Sequence, residues 1–148
     1  MTQRIWHWIL FLALAGMFTT GTACAESQAE IQDKVVYHVT DSNIARGALN
    51  NARNHLDATE GKIRIVFVTH GGGIDFLTQD ATDKDGNPYD VAIEKLQNRG
   101  VEFRVCNNTL RARKIDPKTL VDGAKIVPSG IAEAARLQSR EGFAYLKP

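Results

Sequence analysis

Short apolar runs alternate with amphipathic stretches from residue 34 to the end of the chain. In the first unit, an apolar run contains Val35 and Val36, and Ile44, Ala48 and Ala52 follow it at helical spacing. This alternation is typical of βαβ units, in which crossover helices join parallel strands. The pattern predicts strands at 34–39, 63–68, 101–105, 125–127 and 142–146, and helices at 42–57, 89–98, 107–114, 116–121 and about 129–140.

The expected fold class is therefore α/β, a three-layer α/β/α domain with a mostly parallel sheet of about five strands. Turn residues separate the predicted elements: Gly61 and Gly100 each follow a helical pattern, and the polar segment 79–89 contains the turn sequence Asp85-Gly86-Asn87-Pro88. A chain of 148 residues is the length of one ordinary globular domain.

The first 25 residues are typical of an export signal rather than of folded structure. Arg4 supplies a short positive region, residues 9–15 are apolar, and Ala23-Cys24-Ala25 has the small side chains that a signal peptidase requires. We expect cleavage after Ala25, which leaves a single domain at 26–148 in the periplasm or outside the cell.

Two other interpretations of this segment remain open. Gly21-Thr22-Ala23-Cys24 resembles a lipoprotein box, but Gly21 stands where leucine is usual. An uncleaved anchor is also conceivable, although the apolar run is short for a membrane span. All three interpretations place the domain outside the cytoplasm.

Charge and cysteine content narrow the choice of function. The chain has 24% charged residues and a formal net charge of +1, so it lacks the basic excess of a nucleic-acid-binding protein, and no nucleic-acid partner is expected. Removing residues 1–25 takes away Cys24 and leaves one thiol, Cys106. An unpaired cysteine in an exported protein is buried and inert, paired between chains, or reactive.

Candidate functional residues gather where the predicted strands end. In an open parallel sheet, ligands bind at the carboxyl ends of the strands. The residues predicted at that edge are Asp41, His70, Gly71, Gly72, Cys106, Asn107, Asn108 and Ser129.

Cys106 is the strongest catalytic candidate among them. It lies where a predicted strand gives way to a helix, and the amides that begin a helix favour a thiolate. Arg111 and Arg113 follow within two turns and would attract an anionic substrate. The alternative is that Cys106 is a small buried residue that closes the strand.

The sequence His70-Gly71-Gly72-Gly73 admits several interpretations. It resembles the oxyanion loop of some α/β-hydrolases, but Ser129 is not in the Gly-x-Ser-x-Gly sequence that this chemistry needs. A phosphate-binding loop would require a following Lys-Ser/Thr, which is missing. The glycines more simply allow the backbone to turn tightly against a neighbouring segment.

No metal or cofactor is expected from the sequence. The segment Asp83-x-Asp85-Gly86-Asn87 has its glycine too early for a calcium loop and has no closing glutamate. His38, His55, His70 and Cys106 do not have the spacing of a metal site.

The segment Val105-Cys106-Asn107-Asn108-Thr109-Leu110-Arg111-Ala112-Arg113 resembles the DsrE/DsrF-like family of small sulfur-handling proteins, which includes the TusD-type carriers. The likeness extends to 34–39, 70–73, 86–89, 127–130 and 142–148, and is strongest to an exported or uncharacterised branch. It implies a three-layer parallel sheet, homo-oligomers such as trimers or hexamers, and a cysteine after the third strand that accepts sulfur as a persulfide. Cys106 falls at that position.

Two hypotheses for function follow. In the first, Cys106 takes sulfur from a small anionic sulfur species and passes it to an acceptor protein that the sequence does not identify. Asn107 and Asn108 would stabilise the anion, Arg111 and Arg113 would attract the donor, and His70 would move a proton. In the second, the protein is a non-catalytic, homo-oligomeric binding module and its cysteine is structural. Neither hypothesis requires a cofactor.

Overall fold

Five strands form one sheet in residues 33–148, the part of the chain that the computed structural model describes. The signal segment predicted at 1–25 and the lipoprotein box at Cys24 lie outside the described residues. The strands are β1 (Asp33–Asp41), β2 (Ile63–Gly72), β3 (Glu102–Cys106), β4 (Lys125–Val127) and β5 (Ala144–Leu146). The helices are α1 (Ala45–Ala58), α2 (Asp90–Gln97), α3 (Asn107–Arg113) and α4 (Gly130–Glu141).

The order of strands across the sheet is β4-β3-β2-β1-β5, and every neighbouring pair is parallel. The last strand of the chain thus lies beside the first, where Val36 is in register with both Val66 and Tyr145. The predicted fold class is confirmed, with a sheet that is parallel throughout.

The two faces of the sheet are packed differently. On one face, the Phe67 ring stacks on those of Tyr37 and Phe103 at 5.1 and 4.9 Å, and this cluster extends to α1, α2 and α3. On the other face, Val36, Val66 and Val68 pack with Ala134 and Leu137 of α4 and with Phe143. We call this second face the α4 face.

Several boundaries differ from the sequence-based expectation. Residues Ser42–Ile44 form a 3-10 turn before α1, and Pro117–Thr119 form another where a short helix was predicted at 116–121. The last strand begins at Ala144 rather than at 142, because the Phe143 amide still donates to the Leu137 carbonyl at the end of α4.

Within residues 33–148, no helix combines the length and the apolarity that a membrane span needs.

Candidate functional site

Cys106 is the last residue of β3 and immediately precedes α3. Side chains alternate along a strand, so Cys106 shares the α4 face with Arg104, whereas Phe103 and Val105 point into the aromatic cluster. The residue is 5% exposed. The thiol therefore lies beneath the surface, at the carboxyl edge of the sheet where the sequence predicts it.

Hydrogen-bond donors from two helices surround the sulfur of Cys106. Burial works to raise the pKa of the thiol, but the amides of Gly130, Thr109 and Asn108 and the Thr109 hydroxyl outweigh it and hold the pKa below its ordinary value. Among the described residues, the neutral thiol makes no capping hydrogen bond to α3, so these dipoles act mainly on the charged form. The site favours a thiolate.

Gly130 separates Cys106 from His70. A Cβ at Gly130 would lie 3.2 Å from the Cys106 Cβ, 3.3 Å from the His70 Cβ and 3.2 Å from the carbonyl oxygen of Thr69. A side chain at this position would therefore crowd all three. The absence of one lets α4 begin against the ends of β2 and β3 and keeps Cys106 and His70 close together.

A second histidine lies beside His70. The rings of His38 and His70 have centroids 4.8 Å apart, and Nδ1 of His38 is 2.7 Å from the Tyr145 hydroxyl oxygen. The Nε2 atoms of both histidines are buried and have no hydrogen-bond partner among the described residues. Burial, followed by the charge of Lys147, lowers the pKa of His70, and burial, His70 and Lys147 lower that of His38. Both rings are therefore neutral at pH 7.

The structure gives several predicted substrate-binding residues local roles. The Asp41 carboxylate accepts a hydrogen bond from the Asn43 amide, and the Ser129 hydroxyl accepts one from the Ala132 amide at the start of α4. Asn107 is half-buried at the start of α3, and Asn108 is exposed. A role in substrate binding stays a prediction for all four residues.

The two arginines after Cys106 have different surroundings. Arg113 donates to the Gly71 carbonyl at 3.0 Å and to Asp75 Oδ1 at 2.7 Å. Arg111 is exposed and forms no ion pair within residues 33–148. Of these two arginines, only Arg111 therefore keeps its positive charge free for an incoming anion.

The glycines after His70 allow close contact between backbones. A Cβ at Gly73 would lie 2.2 Å from the carbonyl oxygen of Val39, which no rearrangement of a flexible side chain could relieve. The Gly72 carbonyl accepts from the Ser42 hydroxyl at 2.6 Å, and the Gly71 amide donates to the Thr109 hydroxyl oxygen at 3.1 Å. These contacts support the tight-packing interpretation of the segment.

Comparison with known proteins identifies the family. The model of the DsrE/DsrF-like family matches residues 33–148. The chain belongs to this family. Its members are often linked to sulfur relay, and the structure described above has the same three-layer architecture as solved DsrE-family structures.

Two solved DsrE-family structures are similar to this chain. The protein of unknown function MTH1491 from Methanobacterium thermoautotrophicum is 32% identical, with a TM-score of 0.69 over 78% of this chain and 99% of that chain. The YchN protein from E. coli is 16% identical, with a TM-score of 0.63 over 77% of this chain and 99% of that chain, and supports the fold alone. A comparison with curated proteins found no match.

Four residues around Cys106 were missed by sequence reasoning. Thr109 follows Cys106 by three positions, the spacing at which a helix-capping residue meets the first turn, and this signal could have identified it. Strand alternation from Val36 could have placed His38 on the α4 face. Gly130 and Tyr145 depend on strand order, which the sequence does not show.

The described part of this DsrE-family chain holds no cluster of three or more histidine, cysteine, aspartate or glutamate side chains arranged to bind a metal ion. Near Cys106 on the α4 face, the structure places the imidazole of His70, then that of His38, and beyond it the phenol of Tyr145.

Proposed function

We propose that this DsrE-family protein carries sulfur as a persulfide on Cys106. The observation that supports the proposal best is the set of donors around the sulfur, the amides of Gly130, Thr109 and Asn108 and the Thr109 hydroxyl, which lowers the pKa of the thiol. A structural cysteine does not need such surroundings, because a neutral thiol gains little from them.

The transfer step is a thiol exchange. The Cys106 thiolate attacks the outer sulfur of a donor persulfide, the sulfur–sulfur bond of the donor breaks, and the donor leaves as a thiolate that takes up a proton. The atoms and electrons balance without an external oxidant or reductant. The same donors that stabilise the Cys106 thiolate stabilise the persulfide anion that replaces it.

The burial of Cys106 restricts the donor. At 5% exposure, the sulfur is reachable only by a small molecule or by a slender chain end. The positive charge of the exposed Arg111 on α3 would attract a negatively charged donor. We therefore propose a small anionic sulfur species as donor and a separate protein as acceptor.

Loading of the full chain with glutathione persulfide tests the proposal. Trypsin cuts after Arg104 and Arg111, so peptide 105–111 contains Cys106 and excludes Cys24. We expect that peptide to gain one sulfur atom in the wild type and none in Cys106→Ser. Wild-type protein that is folded but takes up no sulfur at Cys106 would overturn the proposal.

A non-catalytic binding module is the second candidate, and a cavity elsewhere in the domain favours it. A cavity of about 570 Å³ is lined in part by Ser42, Arg46, Phe76 and Tyr89, away from Cys106. Asp75, Asp83 and Asp85 also line this cavity. In this case, Cys106→Ser leaves ligand binding intact, and a small molecule from a panel of anions and amines raises the melting temperature of both variants equally. A melting temperature that no compound of the panel raises counts against this candidate.

Self-association into a trimer or hexamer is proposed as well. Its support within residues 33–148 is a set of exposed apolar side chains on β4, α4 and β5, namely Ile126, Ile131 and Leu146. Light scattering of the wild type and of Ile131→Lys tests it. We expect the wild type to have the mass of an oligomer and the variant to have a smaller one, and a monomeric wild type would contradict the proposal.

Export from the cytoplasm is proposed from residues 1–25 alone. Mass spectrometry of the mature N-terminus tests it. A chain that begins at Glu26 indicates a cleaved signal, a lipid on Cys24 indicates a membrane-tethered protein, and an intact Met1 contradicts cleavage.

A further inference from the structure

Four ionisable side chains cross the α4 face in a row. Cys106 is on β3, His70 on β2, His38 on β1 and Tyr145 on β5, and these four strands are neighbours in that order. The row begins at the buried thiol and ends at a tyrosine that is 40% exposed on the edge strand. It thus connects a buried acid to the surface of the domain.

Successive side chains in the row lie next to each other. The Cβ atoms of Cys106 and His70 are both within 3.3 Å of the position that a Cβ would occupy at Gly130. The ring centroids of His70 and His38 are 4.8 Å apart, and the His38 Nδ1 atom is hydrogen-bonded to the Tyr145 hydroxyl at 2.7 Å.

Packing alone does not explain why each histidine of this row buries one ring nitrogen. His38 is only 6% exposed, yet its Nε2 atom is buried without a hydrogen-bond partner among the described residues, and so is the Nε2 atom of His70. An unpartnered buried polar atom is costly, so such an atom in a native protein needs an explanation, of which a catalytic role is one. Two of them side by side, next to a thiol, indicate a shared role.

We propose that His38 and Tyr145 pass protons between Cys106 and the edge of the sheet, with His38 acting on Cys106 through His70. The inference rests on the proposed function and extends it. His70 exchanges a proton with the Cys106 sulfur. His38 is a positioning residue that orients His70 and accepts the proton that His70 passes on.

The proton balance of a loading step follows from this arrangement. The Cys106 proton moves to one nitrogen of His70, and the proton on its other nitrogen moves to Nε2 of His38. The Nδ1 proton of His38 then passes to the Tyr145 oxygen, which releases its own proton to solvent. The leaving donor thiolate takes up one proton, so the net products are the Cys106 persulfide and a neutral donor thiol.

Burial, and then the charges around His38, lower the pKa values of this row and keep it neutral at pH 7. His70 faces it from β2, and Tyr145 and Lys147 face it from β5 and the segment that follows. From α4, apolar Ala134 and Leu137 pack on this face, while Glu133 and Arg136 are paired with each other. Because both histidines have lowered pKa values, they become charged only in acid, where the row no longer accepts a proton.

The test compares the wild-type full chain with His38→Gln. The rate of loading from glutathione persulfide is followed on peptide 105–111 between about pH 5 and pH 8. We expect His38→Gln to slow loading at neutral pH by about tenfold or more and to remove one ionisation from the acid limb of the profile. His55→Gln is the matched control, because His55 contacts Tyr37 on the opposite face of the sheet.

Alkylation by iodoacetamide separates proton transfer from damage to the site. At about pH 10, above the ordinary pKa of a thiol, Cys106 loses its proton to solvent without the row, so we expect His38→Gln to alkylate there at the wild-type rate although it loads slowly at neutral pH. Tyr145→Phe, at an exposed position, removes the hydrogen bond to His38 without threatening the fold, and we expect it to alter the same limb of the profile.

The outcomes distinguish this inference from the proposed function. Wild type that takes up no sulfur overturns the proposed function. Wild type that loads, with identical pH profiles in His38→Gln and Tyr145→Phe, overturns the proton row and leaves the sulfur carrier standing. Equal losses of loading at neutral pH and of alkylation at about pH 10 would also overturn it, since they would indicate a structural role.

Discussion

The Thr109 hydroxyl oxygen accepts a hydrogen bond of 3.1 Å from the Gly71 amide. This contact joins the first turn of α3 to the end of β2 and fixes the orientation of the hydroxyl. Because the oxygen accepts from Gly71, its own hydrogen is free to point at the Cys106 sulfur, whose pKa it helps to lower. One side chain therefore serves both the packing of the edge and the charge of the thiol.

We predict that Thr109→Val raises the pKa of the Cys106 thiol. The variant keeps the shape of the side chain but loses the hydroxyl that favours the thiolate. Alkylation by iodoacetamide at neutral pH slows severalfold as a result, and the pH at which the rate is half-maximal moves upward. Mass spectrometry of peptide 105–111 across a pH series measures both.

Thr109→Ser is the matched control for this experiment. Serine keeps the hydroxyl, and with it the bond from Gly71 and the donor to Cys106, so the wild-type pH profile is expected. A profile for Thr109→Val that coincides with that of Thr109→Ser would show that the hydroxyl does not act on the sulfur.

The regular parts of this fold could be predicted because the sequence patterns are local. The strands predicted near 34–39, 101–105 and 125–127 are found within two residues of those bounds. β2 is longer than predicted and runs through His70 to Gly72. Apolar patterning cannot indicate this extension, because it depends on pairing with β1, where Asp41 is in register with Gly72.

The candidate site could be predicted only in part, for a similar reason. The position of Cys106 at a strand end is a local property, so the sequence indicates it. The contact between His38 and Tyr145 depends on β5 lying beside β1, and these strands are separated by almost the whole domain along the chain. Strand order of this kind is a tertiary property that periodicity does not encode.

We predict that Gly73→Ala destabilises the protein by about 3 kcal/mol or more. The new Cβ would lie 2.2 Å from the Val39 carbonyl oxygen, so the backbone itself must move. Gly47→Ala is the matched control, because a Cβ there meets nothing within 4 Å and alanine favours the helix by about 0.5–1 kcal/mol. Urea unfolding of the three proteins measures the difference, and similar stabilities for the two variants would contradict the prediction.

We predict that the stability of the fold decreases as the pH falls, because the Glu102 carboxylate becomes protonated. Burial works to raise the pKa of this carboxyl, but hydrogen bonds from Arg104, Arg64 and Lys125 lower it to about 2. A folded-state pKa below the unfolded value of about 4.5 stabilises the fold above that pH, and this stabilisation is lost as the pH falls toward 2.

Melting temperatures measured across this pH range test the Glu102 prediction. Glu102→Gln is expected to melt lower than the wild type at neutral pH and to lose less on acidification. The melting temperature of the variant still depends on pH, because the pKa values of Glu133 and Glu141 are lowered as well. Glu60→Gln, at an exposed side chain, should behave as the wild type. Parallel curves for the wild type and Glu102→Gln would exclude this carboxylate as a source of the pH dependence.

We predict that Arg111 attracts anions to Cys106 more strongly than Arg113 does. Arg113 is held by Asp75 and the Gly71 carbonyl, whereas Arg111 is exposed without an ion pair among residues 33–148. The ratio of alkylation rates with anionic iodoacetate and neutral iodoacetamide reports the potential at the sulfur and cancels changes in its pKa. Arg111→Gln should lower the ratio severalfold at low salt and hardly at all at high salt, because salt screens exposed charges. Arg113→Gln should change it less, and the opposite ranking would assign the donor-attracting charge to Arg113 instead.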